Sequence, residues 1–137
     1  MWYIYALLSA LFAALTAIFA KVGIRDVNTN LAVAIRTVII VFMAWMIVFL
    51  RGGFSSIRTL TNTNWIFLAL SGITTGLSWI FYFKALQTGK VSQVAPVDKL
   101  SLALTIILSV IFLKEVLTLK AAIGGGLVVA GVLVLIL

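Results

Sequence analysis

Five apolar stretches, each about as long as a bilayer is thick, constrain this chain more than any other feature. They lie near residues 2–20, 32–50, 65–86, 91–113 and 118–137. Of the 137 residues, 64% are hydrophobic and 9% are charged, and the mean hydropathy is +1.30. Soluble domains carry about a quarter charged residues. A body of this size has no interior large enough to hide so much apolar surface. The expected fold class is therefore an all-α integral membrane protein with five transmembrane helices, residues 1–137 forming a single domain.

Local signals agree with helices. Gly23 follows the first span and Gly89 the third, while Asn30, Asn64 and Thr118 can cap the second, third and fifth. Trp2 and Trp65 start spans, as interfacial belt residues do. The segment 2–20 lacks a basic n-region and is long enough to cross, so it reads as a span and not as a cleavable signal. The longest loop, about 51–64, is too short for a second domain. There is no cysteine and no histidine, which removes disulfides, thiol catalysis and the usual zinc ligands. No metal and no cofactor is expected. The net charge of +7 is scattered over span ends and forms no patch for nucleic acid.

Counting cations by side gives an unusual balance. The side of the N-terminus carries Arg51, Arg58, Lys114 and Lys120; the other carries Lys21, Arg25, Lys84 and Lys90. The positive-inside rule has almost nothing to act on, although Arg36 tips the count slightly to the second side. Either the chain inserts in both orientations and pairs antiparallel, or weak local signals or a partner fix one orientation.

Residues three, four and seven apart share a helix face. Tyr5, Ser9 and Thr16 share one on the first span, Ser71, Thr75, Ser78 and Tyr82 on the third, and Asp98, Ser101, Thr105 and Ser109 on the fourth. Three such stripes suggest a polar cavity lined by spans one, three and four; the plainer alternative is that each hydroxyl bonds to its own helix or a neighbour. Trp45 and Trp79 lie deep in their spans, placed to stack on a solute, hold a cation or simply pack. Small residues mark close packing: Gly72 and Gly76 on the third span, and Gly124, Gly126 and Gly131 on the fifth.

The fourth span opens on Pro96, Asp98 and Lys99. Asp98 and Arg36 both lie roughly 7–11 Å below the same surface, and Lys84 belongs to that side, so a cluster of Arg36, Lys84, Asp98 and Lys99 is geometrically allowed. Pairing Asp98 with Arg36 or Lys99 reduces the burden of burying each charge, making these residues candidates for a gate, a coupling site or a structural ion pair. Pro96 deprives the Ser92 carbonyl of its helical donor. It either breaks the helix, as at many transporter sites, or stands as the first helical residue with Ala95 as the cap.

The stretch TTGLSWIFYFKALQTGKVSQVAPVDKLS (Thr74 to Ser101) resembles the core of an EamA-type repeat of the drug/metabolite transporter superfamily. So do NLAVAIRT (Asn30 to Thr37), KEVLT (Lys114 to Thr118) and GGGLVVAGVLVL (Gly124 to Leu135). The resemblance covers the whole chain and is to the short five-span bacterial and archaeal members with one EamA unit. It implies a transporter in which two five-helix units of opposite orientation surround a cavity lined by the first, third and fourth helices of each. Here that would take an antiparallel homodimer. Substrates in the superfamily include amino acids, other metabolites, nucleotide sugars and cationic drugs. Unlike the four-helix small multidrug transporters, residues 2–20 contain no acid, which argues against their proton-exchange mechanism.

The function expected is movement of a small metabolite or drug-like solute by alternating access in the cell (inner) membrane, where the protein is multi-pass. The solute path is assigned to Ser9, Thr16, Ser71, Thr75, Ser78, Trp79, Tyr82, Ser101 and Thr105. A non-transporting accessory or assembly subunit is the alternative. No catalytic residue is expected: general acid–base chemistry has too few players in the membrane.

Overall fold

A computed structural model describes residues 1–137 and is all-helical. The helices are α1 (Trp2–Gly23), α2 (Thr29–Leu50), α3 (Asn62–Thr88), α4 (Val91–Asp98), α5 (Leu100–Phe112) and α6 (Leu119–Ile136), with a short 3-10 helix at Gly53–Thr59. Five helical stretches are long and apolar enough to cross a membrane, α4 and α5 together making the fourth, Val91–Phe112. The chain is thus an all-α integral membrane protein, as its composition demands. In lipid every backbone polar group must be satisfied internally, which helices do and open strands do not.

The helix starts differ in detail from the sequence reading. Asn28, not Asn30, caps α2: its side-chain oxygen accepts from the backbone N–H of Asn30 at 2.9 Å and of Leu31 at 3.3 Å. At α3 the cap is Thr61, whose hydroxyl accepts from the Asn64 N–H at 3.3 Å and donates to the Asn64 side chain at 2.9 Å. Asn64 answers the cap one turn on instead of supplying it. Thr118 caps α6 as expected, accepting from the Ala121 N–H at 3.2 Å.

The chain gathers into two compact units. One is Phe19–Gln87. Its buried residues are Ile24, Val33, Phe83 and Leu86, which lie in the α1–α2 turn, the first half of α2 and the last two turns of α3. Polar ties close the same end. The Gln87 amide donates to the Val27 carbonyl at 2.9 Å and to the Ile24 carbonyl at 3.4 Å, and the Lys21 ammonium donates to the Leu86 carbonyl. At the other end of α2, Gly52 turns the chain with a left-handed φ of 68°, which a residue without Cβ adopts freely. That turn brings the Phe54 ring to 5.8 Å from Trp45 and 5.7 Å from Phe49.

The second unit comprises Met1–Ile18 and Thr88–Leu137. Here α6 packs along α4 and α5. At Gly125 the fit is tight: an added Cβ would stand 3.0 Å from the Ile106 side chain. Pro96 lies inside α4, which starts at Val91 with Lys90 at the cap position, so the reading of Pro96 as the first helical residue is not realised. The helix breaks three residues later. Lys99 ends α4 with its N–H turned back to the Pro96 carbonyl at 2.9 Å, and its own carbonyl accepts from the Leu102 N–H at 2.9 Å. These tightened bonds mark a 3-10 turn between α4 and α5.

Candidate transport path

In the Phe19–Gln87 unit, Arg36 is the charged residue on the α2 face that turns inward with Val33. Its guanidinium carbon lies 4.2 Å from the centre of the Trp79 ring and 5.3 Å from that of Phe83. Trp79 and Phe83 are four residues apart on α3 and so project from one face. Long side chains carry this contact, since no run of close backbone joins α2 to α3. An arginine at the centre of a membrane helix costs about 2.5–3.5 kcal/mol by insertion scales, and less at the depth of Arg36, in the first half of α2. A cation over an aromatic face recovers about 0.5–2 kcal/mol, more when water is excluded. The two rings therefore offset a sizeable share of what it costs to hold Arg36 inside a span.

The hydroxyls of α3 and α5 show how the polar stripes are satisfied. Thr75 donates to the Ser71 carbonyl and Thr105 to the Ser101 carbonyl, both at 2.8 Å, and Ser109 donates to the Ile106 carbonyl at 3.0 Å. This back-bonding is the ordinary way a hydroxyl lives in a membrane helix. It spends the hydroxyl hydrogen and leaves the oxygen lone pairs for an outside donor. Ser9, Ser71, Thr75, Ser78, Ser101 and Thr105 are exposed, whereas Thr16, Trp79 and Tyr82 are half-buried.

Asp98 pairs with Lys99, Oδ2 to Nζ, at 3.2 Å. Adjacent residues on an intact helix do not face each other. The pair forms because Asp98 ends α4 and Lys99 is the link to α5, so the broken helix lets the two side chains turn together. Pro96 beside it is half-buried, and Lys84, next to Phe83 on α3, is exposed. The glycines assigned to packing are open within the chain: a Cβ at Gly72, Gly76, Gly124, Gly126 or Gly131 would meet nothing within 4 Å.

Several participants carried no sequence signal. Phe83 was one apolar residue among many; its spacing of four from Trp79 is the only hint of a second ring under the cation. Gln87 carries no signal either, because its partners are backbone carbonyls, which leave no trace in side-chain pattern.

Five spans, an arginine held on aromatic faces and a helix broken around an ion pair define a polytopic α-helical membrane protein with polar groups at membrane depth. The EamA-like transporter family model matches residues 1–137, and the chain belongs to that family. A relative from a Sinorhizobium species, described as an uncharacterized transporter, is 46% identical over 134 residues, covering 98% of this chain and 95% of its own. An uncharacterized protein of Methanocaldococcus jannaschii is 36% identical over 66 residues, 48% of each chain. No solved structure matches. The family makes the chain a multi-pass membrane transporter and points away from an enzyme.

Proposed function

We propose that the chain is one EamA-type transport domain, residues 1–137, that carries a small solute across the cell (inner) membrane by alternating access as an antiparallel homodimer. The observation that carries this reading is the asymmetry of the Phe19–Gln87 unit. One end is closed by Ile24, Phe83 and Leu86, each at most 2% exposed, and by the Gln87 ties. Farther along α3, Ser71, Thr75 and Ser78 lie open. Thr75 spends its hydrogen on the Ser71 carbonyl, and the hydroxyl oxygens along this face remain able to accept from a solute, water or a second copy. No more than 6% of any span is buried within one chain, which leaves these faces open to a second copy that would complete a cavity around them. The open faces of Gly72, Gly76, Gly124, Gly126 and Gly131 allow a second copy to approach closely. The balanced cation count supports insertion in both orientations.

In this reading Ser9, Thr16, Ser71, Thr75, Ser78, Trp79, Tyr82, Ser101 and Thr105 contact the solute. Asp98 and Lys99 act as a gate that the Pro96-linked break lets move, and Arg36 and Lys84 supply cations to the path. The test is a metabolite screen on purified protein by thermal shift, followed by flux of the hits into reconstituted vesicles. Asp98→Asn is expected to abolish flux without lowering expression. Unchanged flux in that variant would remove Asp98 from the gate, and absence of flux for every stabilising solute would favour an accessory-subunit role.

A further inference from the structure

Arg36 poses a question that the aromatic contact answers only in part. The rings of Trp79 and Phe83 stand under the guanidinium at 4.2 and 5.3 Å. An aromatic face attracts the charge, but it supplies no oxygen to the N–H donors that lie in the guanidinium plane. Within the Phe19–Gln87 unit there are six Lys and Arg residues and a single acid, Asp26. Asp26 sits in the exposed α1–α2 turn with a left-handed φ of 55°, outside the spans. The unit therefore holds no carboxylate at membrane depth to neutralise Arg36.

We infer that the N–H edge of Arg36 is an oxyanion subsite on the transport path, and that the carried solute bears a carboxylate or phosphate group. The inference rests on the transporter reading proposed above and names its substrate class. An arginine fork matches the two oxygens of a carboxylate or phosphate, and its planar group is pre-organised for them when aromatic rings fix it. The excess of cations repels a cationic solute and draws an anionic one. Ser78 is next to Trp79, and Thr75 lies one turn back, both exposed, so hydroxyl oxygens stand ready for the rest of the molecule.

The experiment uses the full chain with Trp2, Trp45 and Trp65 replaced by Phe, which leaves Trp79 as the only indole. In a phosphate-free maltoside detergent, sodium phosphate and sodium acetate are titrated at constant ionic strength against Trp79 emission. A parallel arm adds short-chain phosphatidylglycerol, to separate a free solute from a lipid headgroup. A saturable response to the free anions is expected, weakened at least tenfold by Arg36→Lys, which keeps the charge and loses the fork. Arg25→Gln, which removes an exposed cation of the same unit, is expected to leave the affinity within twofold. No saturable response, a response untouched by Arg36→Lys, an equal loss in Arg25→Gln, or a response to the lipid alone would each overturn the inference. Vesicle flux provides the independent arm and also serves if Arg36→Lys fails to fold. Anionic solutes carried in preference to cationic ones support the inference. Flux of cationic or neutral solutes alone overturns the subsite and leaves the transporter reading standing. Saturable anion binding with no flux of any solute overturns the transporter reading instead.

Discussion

The contact of Arg36 with Trp79 makes a quantitative prediction. At 4.2 Å from the ring centre, the guanidinium is well inside the ~6 Å range over which the ring quadrupole attracts a cation. Arg36 is half-buried, so the interaction falls between the exposed and desolvated limits, about 1–2 kcal/mol. That is a factor of about 5–30 in the folding equilibrium. Phe83, at 5.3 Å, is near the edge of the range and is expected to contribute about 0.5 kcal/mol. Single substitutions do not isolate these values: Trp79→Leu also changes packing, and Arg36→Met also removes the cost of burying a charge. A double-mutant cycle of Arg36→Met with Trp79→Leu, and a second with Phe83→Leu, cancels those terms. Reversible unfolding in mixed maltoside and dodecyl sulfate micelles supplies the free energies. A coupling of about 1–2 kcal/mol in the first cycle and a smaller one in the second is expected. Coupling in the first cycle under about 0.3 kcal/mol, or a larger value for Phe83, would refute the argument that these rings stabilise the cation.

Two further outcomes test the closed end and the helix start. Gln87→Ala removes both bonds to the α1–α2 turn and is expected to cost about 1–2 kcal/mol, with faster hydrogen exchange at residues 24–28 and no change in the exchange of α6. Asn28→Ala loses both capping bonds and is expected to cost about 1 kcal/mol, while Asn30→Ala should cost a few tenths at most, as read by thermal unfolding.

The spans and the helical class were legible because they depend on length and apolarity, which a sequence states directly. Rotation of each helix was not. Asn28 and Asn30 flank Thr29, and either side chain can accept from a first-turn N–H; only the backbone path decides which one does. Likewise, Trp45 and Trp79 both stood at membrane depth as candidate cation holders. Trp45 turns towards Phe54 and Trp79 towards Arg36, a choice set by tertiary packing. Three consecutive glycines at 124–126 signal close approach, but it is Gly125 that meets Ile106. The Asp98–Lys99 pair was one of two pairings that spacing allowed, and the location of the helix break favoured it. Pro96 announced that break without locating it: losing the bond to Ser92 weakens the helix over a whole turn, and the chain gives way at Lys99.

The central claim, two antiparallel copies around one solute path, has a direct test that the composition makes clean. The chain has no cysteine, and Leu137 is fully exposed, so Leu137→Cys provides a single accessible thiol. Labelling intact spheroplasts with a membrane-impermeant maleimide, then repeating after permeabilisation, gives the fraction of C-termini on each side. The account predicts that about half are labelled from outside. Labelling of about nine-tenths or more from one side would contradict it, because a chain with one orientation cannot form the antiparallel pair.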